Sequence, residues 1–149
     1  MLLTGTFARA IDEKLRVAIP KPLREALGEA AKGVLYLAPG TDGSLALYTE
    51  AALAEMARRL AQSSPTGQDV RAYSRLFYAR CQAVELDSQG RVRIPSELAQ
   101  LAGLGKEGVL VGVQDHLELW DRQRWNEYLA QRQGQFDEFA ENAFERPTP

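Results

Sequence analysis

Cysteine and histidine are nearly absent from this 149-residue chain, which holds one of each, Cys81 and His116. One cysteine cannot form an internal disulfide, and one histidine cannot build a His-based metal site, so neither metal nor cofactor is expected. The uncharged apolar runs are short, as in Val-Leu-Tyr-Leu-Ala at 34–38. They fall far below the ~20 residues that a membrane helix needs, so no membrane partner is expected. The first residues, Met-Leu-Leu-Thr-Gly-Thr-Phe-Ala-Arg, have no basic region followed by an apolar core. No signal peptide is expected, and the location implied is cytoplasmic. Also missing are a Gly-rich phosphate loop, a nucleophile–base pair and a metal cluster. The chain is therefore not read as an enzyme, and no small-molecule substrate is expected.

Excess charge of one sign is absent too. Eighteen Lys+Arg face 20 Asp+Glu for a net charge of −2, with residues 1–75 at +2 and residues 76–149 at −4. A strongly basic domain is the usual footprint of a nucleic-acid binder. Any such function must rest on where the arginines sit.

What is present is a repeat. Ile11-Asp12-Glu13-Lys14-Leu15-Arg16-Val17-Ala18-Ile19-Pro20 recurs 75 positions later as Leu86-Asp87-Ser88-Gln89-Gly90-Arg91-Val92-Arg93-Ile94-Pro95. The same offset pairs Leu23 with Leu98, Gly28 with Gly103 and Leu35 with Leu110. The match resumes at offset 72, where Leu45-Ala46-Leu47-Tyr48 answers Leu117-Glu118-Leu119-Trp120. An ordered series of this kind marks a tandem duplication. The implied units are 1–62 and 81–149, the latter with a C-terminal helix. Residues 63–80 form a linker, Ser63-Ser64-Pro65-Thr66-Gly67, and a connecting helix.

Each unit reads as α+β. A strand-like segment (3–11 or 82–86) leads through a turn into a strand in which Val17 and Ile19, or Val92 and Ile94, face one way. Arg16, and Arg91 with Arg93, face the other. Short helices follow at 21–27, with Pro22 in the first turn, and at 96–102, with Ser96 as N-cap. Gly28 and Gly103 sit where a helix end favours φ > 0. Hairpins at 34–48 and 109–120 then lead to helices at 50–62 and 122–133, with Thr49 and Asp121 as N-caps. Leu53, Met56, Ala57 and Leu60 fall on one stripe of the first, and Trp125, Tyr128 and Leu129 on one stripe of the second. In the connecting helix Val70, Tyr73, Leu76 and Phe77 share a face. The amphipathic stretch 136–144 places Phe136, Phe139 and Phe144 in a charged tail ending in Pro147-Thr148-Pro149, an apolar surface suited to self-association.

The twice-present Asp-x-x-x-Arg-Val-x-Ile-Pro motif, with its spacing and flanking helices, resembles the MraZ family of bacterial transcriptional regulators. Their tandem AbrB/SpoVT-like units carry Asp-x-Lys-Gly-Arg-x-x-Ile-Pro, and the likeness runs from about Leu3 to Phe144. The resemblance implies two units related by pseudo-twofold symmetry around a small β-barrel-like core flanked by helices. It also implies a nucleoid-associated, DNA-binding repressor of cell-division and cell-wall genes, acting as a homo-oligomeric ring on promoter direct repeats. The family's functional arginine falls on Arg16 and Arg91, and its lysine on Lys14.

The residues themselves fit that chemistry, because arginine and lysine projecting from a rigid turn can hold phosphates and arginine can read guanine. Asp12 and Asp87 are expected to accept turn N–H groups or orient the arginines. Arg93, Arg9 and Lys21 complete the candidate set, with ordinary surface charge as their plainer reading. Two departures stand out. Leu15 occupies the position that Gly90 fills in the second copy, so the first turn is expected to take another conformation. Gln89 replaces the motif lysine. Together with the acidic net charge, these departures favour a rival reading, a structural or protein-interaction ring whose DNA-binding surface has decayed, whereas the paired arginines and the near full-length likeness favour the DNA-binding regulator as the leading one.

Overall fold

The computed structural model describes residues 1–63 and 66–145. Part of the expected linker, Ser64-Pro65, and the tail Pro147-Thr148-Pro149 lie outside the described residues. The fold is α+β, and every strand pairing is antiparallel.

The first half contributes β1 (Thr6–Ala10), β2 (Arg16–Ala18), α1 (Lys21–Leu27), β3 (Leu35–Pro39), β4 (Leu45–Thr49) and α2 (Glu50–Gln62). The connecting helix is α3 (Gln68–Tyr78). The second half contributes β5 (Gln82–Val84), β6 (Arg91–Arg93), α4 (Ser96–Leu101), β7 (Glu107–Gly112), β8 (His116–Asp121), α5 (Arg122–Arg132) and α6 (Phe136–Phe144). Six strands form one sheet in the order β1-β7-β8-β4-β3-β5, while β2 and β6 form a separate two-stranded ribbon.

The halves are interlaced. β1 pairs with β7, β3 with β5, β4 with β8 and β2 with β6, so each half completes its sheet with strands of the other. In the ribbon Val17 lies opposite Val92, and both are buried. Ile19 N–H donates to Gly90 O at 2.9 Å, and Ile94 N–H donates to Leu15 O at 2.7 Å. Period-two alternation sends Val17, Ile19, Val92 and Ile94 into a core shared with Leu23, Leu98 and the leucines of the sheet.

The expected barrel-like core is corrected. β1 and β5 are opposite edges of an open sheet, and β2 meets β1 through the bridge Ile11↔Val17. Each ribbon strand soon runs into a proline, Pro20 or Pro95, which has no N–H with which to extend a ladder around the core.

Two expected caps also change. Thr49 caps α2, its Oγ1 accepting from Ala52 N–H at 3.1 Å. Ser96, however, is the first residue inside α4, whose N-cap is Pro95. Asp121 stands at the N-cap of α5, but its carboxylate accepts from Gly105 N–H at 3.0 Å and fixes the loop before β7 instead. The expected apolar face of α3 is only partly used. Phe77 is buried against Tyr48, Ala38 and Ala46, while Tyr73 and Leu76 remain exposed. The stripes of α2 and α5 are half-buried rather than fully buried, because each covers one outer surface of the sheet.

Candidate nucleic-acid interface

The two motif copies build the same turn. Asp12 Oδ1 accepts from Lys14 N–H at 3.0 Å and from Arg16 N–H at 2.8 Å, and its Oδ2 accepts from Arg16 Nε at 2.7 Å. Asp87 repeats each contact, with Gln89 N–H at 2.9 Å, Arg91 N–H at 2.9 Å and Arg91 Nε at 2.8 Å. The aspartate is short enough to serve the backbone two and four residues on, which is why this residue type opens the turn. The Arg16 backbone N–H is the main cause that holds the Asp12 carboxyl below its usual range, with further help from the guanidinium and Lys14 N–H. Arg91 does the same for Asp87. Both carboxylates therefore stay charged at neutral pH and keep their arginines oriented.

The expectation that Leu15 forces another conformation is corrected. Leu15 has φ 61° and Gly90 has φ 74°, so both turns pass through the left-handed region. A leucine there costs about 1–2 kcal/mol. Its half-buried side chain packs on the core, and full leucine burial is worth about 1.5–3 kcal/mol, so part of that burial can offset the strain.

The ribbon register sets the site's geometry. Arg16 lies opposite Arg93 and Ala18 opposite Arg91, with the buried Val17–Val92 pair between them. Directly opposed residues project to the same side of a ladder, so Arg16, Arg91 and Arg93 all project away from the core. Because the strands are antiparallel, the turns stand at opposite ends of the ribbon. Of each guanidinium the aspartate engages only Nε, which leaves the terminal nitrogens for an outside acceptor. Lys14 is exposed on the first turn.

Other expected residues do not join this arrangement. Arg9 is on β1, where it donates to Ala8 O at 2.8 Å and lies 6.0 Å from the Phe7 ring centroid. Lys21 starts α1 and lies 3.9 Å from Glu25. Two cations that sequence reasoning missed do flank the turns. Lys106 borders the first turn, its carbonyl accepting from Ile11 N–H at 2.8 Å. Arg24 of α1 lies over Gly90 of the second turn. Neither belongs to the motif, and only the interlacing of the halves brings them there.

The chain is 35% identical to "Transcriptional regulator MraZ" of Desulforamulus reducens over 141 residues, covering 95% of this chain and 96% of the relative. It is 38% identical to the regulator of the same name from Lactiplantibacillus plantarum over 138 residues, covering 93% and 95%. A third relative of that name, from Saccharopolyspora erythraea, is 38% identical over 128 residues, covering 86% and 87%. The chain belongs to the MraZ family. The MraZ family model, whose description adds that it is antitoxin-like, matches residues 77–147 and so takes in the second turn, β6 and α4. Among the described residues no helix is long and apolar enough to cross a membrane, and no group of His, Cys, Asp or Glu could hold a metal ion.

Proposed function

We propose that the chain is a transcriptional regulator that binds promoter DNA with the solvent face of the β2–β6 ribbon. The observation that carries this reading is the pair of Asp-locked arginines, Arg16 and Arg91, facing outward on one ribbon. A guanidinium fixed at Nε loses little side-chain entropy on binding, and its remaining N–H groups suit a phosphate or the O6/N7 edge of guanine. The relatives' shared name, transcriptional regulator, supports the same assignment. In this reading Arg16, Arg91, Lys14 and Arg93 touch DNA, Asp12, Asp87 and Gly90 shape the turns, and Arg9 and Lys21 are peripheral. Regulation takes the form of repression in the nucleoid, at cell-division and cell-wall genes.

Units 1–62 and 81–149 are taken as pseudo-twofold mates joined by 63–80. Supporting this, the sheet order keeps its pattern when β1, β7 and β8 are exchanged for β5, β3 and β4. In this reading a homo-oligomeric ring on direct repeats compensates for the low charge. A subunit of net charge −2 neutralises few phosphates, and repeated copies of one weak site gain roughly 10²–10⁴ in avidity. Exposed Phe136, Phe139 and Phe144 on α6 are apolar surface for that assembly.

The rival ring with a decayed DNA surface keeps Gln89 and the acidic charge in its favour. Leu15 no longer supports it, because the first turn retains the conformation of the second. Gel retardation of the chain's own upstream promoter region tests the proposal. Retardation that a scrambled duplex cannot compete away is expected, and a stable ring that retards neither duplex would give the rival the case.

A further inference from the structure

The two turns differ in their cations. The first carries Lys14 beside Arg16, while the second has Gln89 at the lysine position and so lacks a second cation of its own. Arg24 reaches that turn from α1, in the opposite half of the chain. A Cβ built on Gly90 would stand 2.9 Å from Arg24 Nη1, 3.0 Å from its Cδ and 3.1 Å from its Cζ. The guanidinium therefore occupies the space that a side chain at position 90 would need. The counterpart of Arg24 at the repeat offset is Ala99, a small residue in the core cluster on which Leu15 packs. One turn thus combines a large turn residue with a small helix residue, and the other combines glycine with an arginine.

Arg24 also has an unpaired donor among the described residues. Its Nε is buried with no hydrogen-bond partner among the described residues. The lysines lining the same cavity of about 540 Å³ have theirs, since Lys32 lies 3.4 Å from Glu29 and Lys21 lies 3.9 Å from Glu25. Asp87 is engaged by Arg91. Arg24 Nε is closed to solvent, so the donors open to an anion from outside are its terminal nitrogens, of which Nη1 lies against the second turn.

We propose that Arg24 is a phosphate-contacting residue of the second turn, supplied across the interlaced halves in place of the lysine missing at Gln89. This rests on the DNA-binding reading above. The ligand is a backbone phosphodiester oxygen, so the contact is blind to base sequence.

The test measures binding of two duplexes, the chain's own upstream promoter region and a scrambled version of equal length, across a salt series. Arg24→Ala weakens both duplexes by the same factor. It also lowers the magnitude of the log K against log salt slope by about 0.9 for each Arg24 engaged. Arg24→Lys keeps the wild-type slope. An unchanged slope in Arg24→Ala overturns the contact. A thermal cycle tests the placement without DNA: Gly90→Ala lowers Tm less in an Arg24→Ala background than in the wild type. Equal drops would show that Arg24 does not fill that space. If wild-type protein binds neither duplex, the DNA reading and the phosphate contact both fall, and the thermal cycle still decides the packing.

Discussion

The first and second turns reach one backbone geometry from different residues, and the comparison separates what the fold needs from what the site needs. The fold needs an aspartate and a left-handed residue, met by Asp12 with Leu15 and by Asp87 with Gly90. The proposed site needs an outward arginine, met by Arg16 and Arg91. What surrounds the arginine varies, with Lys14 and Lys106 about the first turn and Arg24 over the second. Identity is kept where hydrogen bonds close the turn, and drift is tolerated where a neighbouring element can supply volume or charge.

The largest expected effect breaks the pair at its arginines. Arg16→Ala should abolish specific promoter binding, because in the proposed ring the loss is repeated in every subunit. Arg91→Ala should cost less, since the first turn keeps its two flanking lysines. Both variants should keep Tm close to wild type, because the side chains project away from the Val17–Val92 core and the backbone N–H that is each aspartate's main partner remains. Equal losses in a binding titration would contradict the asymmetry.

Next comes the left-handed position. Gly90→Ala should destabilise by about 1–2 kcal/mol from backbone strain alone, and by more where Arg24 cannot move aside. Leu15→Gly should change stability much less, because relief of the same strain is offset by lost leucine burial. Denaturant unfolding of both variants checks the contrast. A larger loss in Leu15→Gly than in Gly90→Ala would reverse it.

Much of this contrast was legible in the sequence. Asp12 and Asp87 sit two and four residues before the N–H groups they cap, and that spacing is local chemistry. The alternation of Val17 and Ile19 with Arg16 likewise assigns the core face. The conformation at Leu15 departs from the expectation because φ > 0 disfavours leucine in isolation, whereas a nearby core can compensate it. Lys106 and Arg24 could not be found from the motif, since each is brought to its turn by strands of the other half. The open sheet was hidden for a related reason. A repeat fixes what each unit contains, but not that β1 pairs with β7 and β5 with β3. The loop role of Asp121 depends on Gly105, sixteen positions away.

Acid should loosen both turns together. The folded-state values of Asp12 and Asp87 are lowered, so their stabilisation is present above the ordinary carboxylate range and is lost as pH falls through the lowered values. Tm against pH for wild type and Asp12→Asn should converge at low pH. A constant gap would disprove the coupling.

The smallest effect concerns His116, away from both turns. Its value is raised, chiefly by the Glu118 carboxylate 3.9 Å from Nε2 and then by Asp115, 2.7 Å from Nδ1, and its ring stacks on Tyr48 at 5.0 Å. Its contribution is full below the ordinary histidine value of 6.5 and is lost as pH rises through the raised value. His116→Asn should therefore lower Tm at acid pH and little at alkaline pH. DNA binding should be unaffected at either.

The most direct test of the ribbon as the nucleic-acid interface is promoter retardation by the Arg16→Ala/Arg91→Ala double variant, with oligomer size and Tm measured on the same sample. The account predicts that retardation disappears while size and Tm stay close to their wild-type values. Undiminished retardation by a normally folded and normally assembled double variant would contradict it.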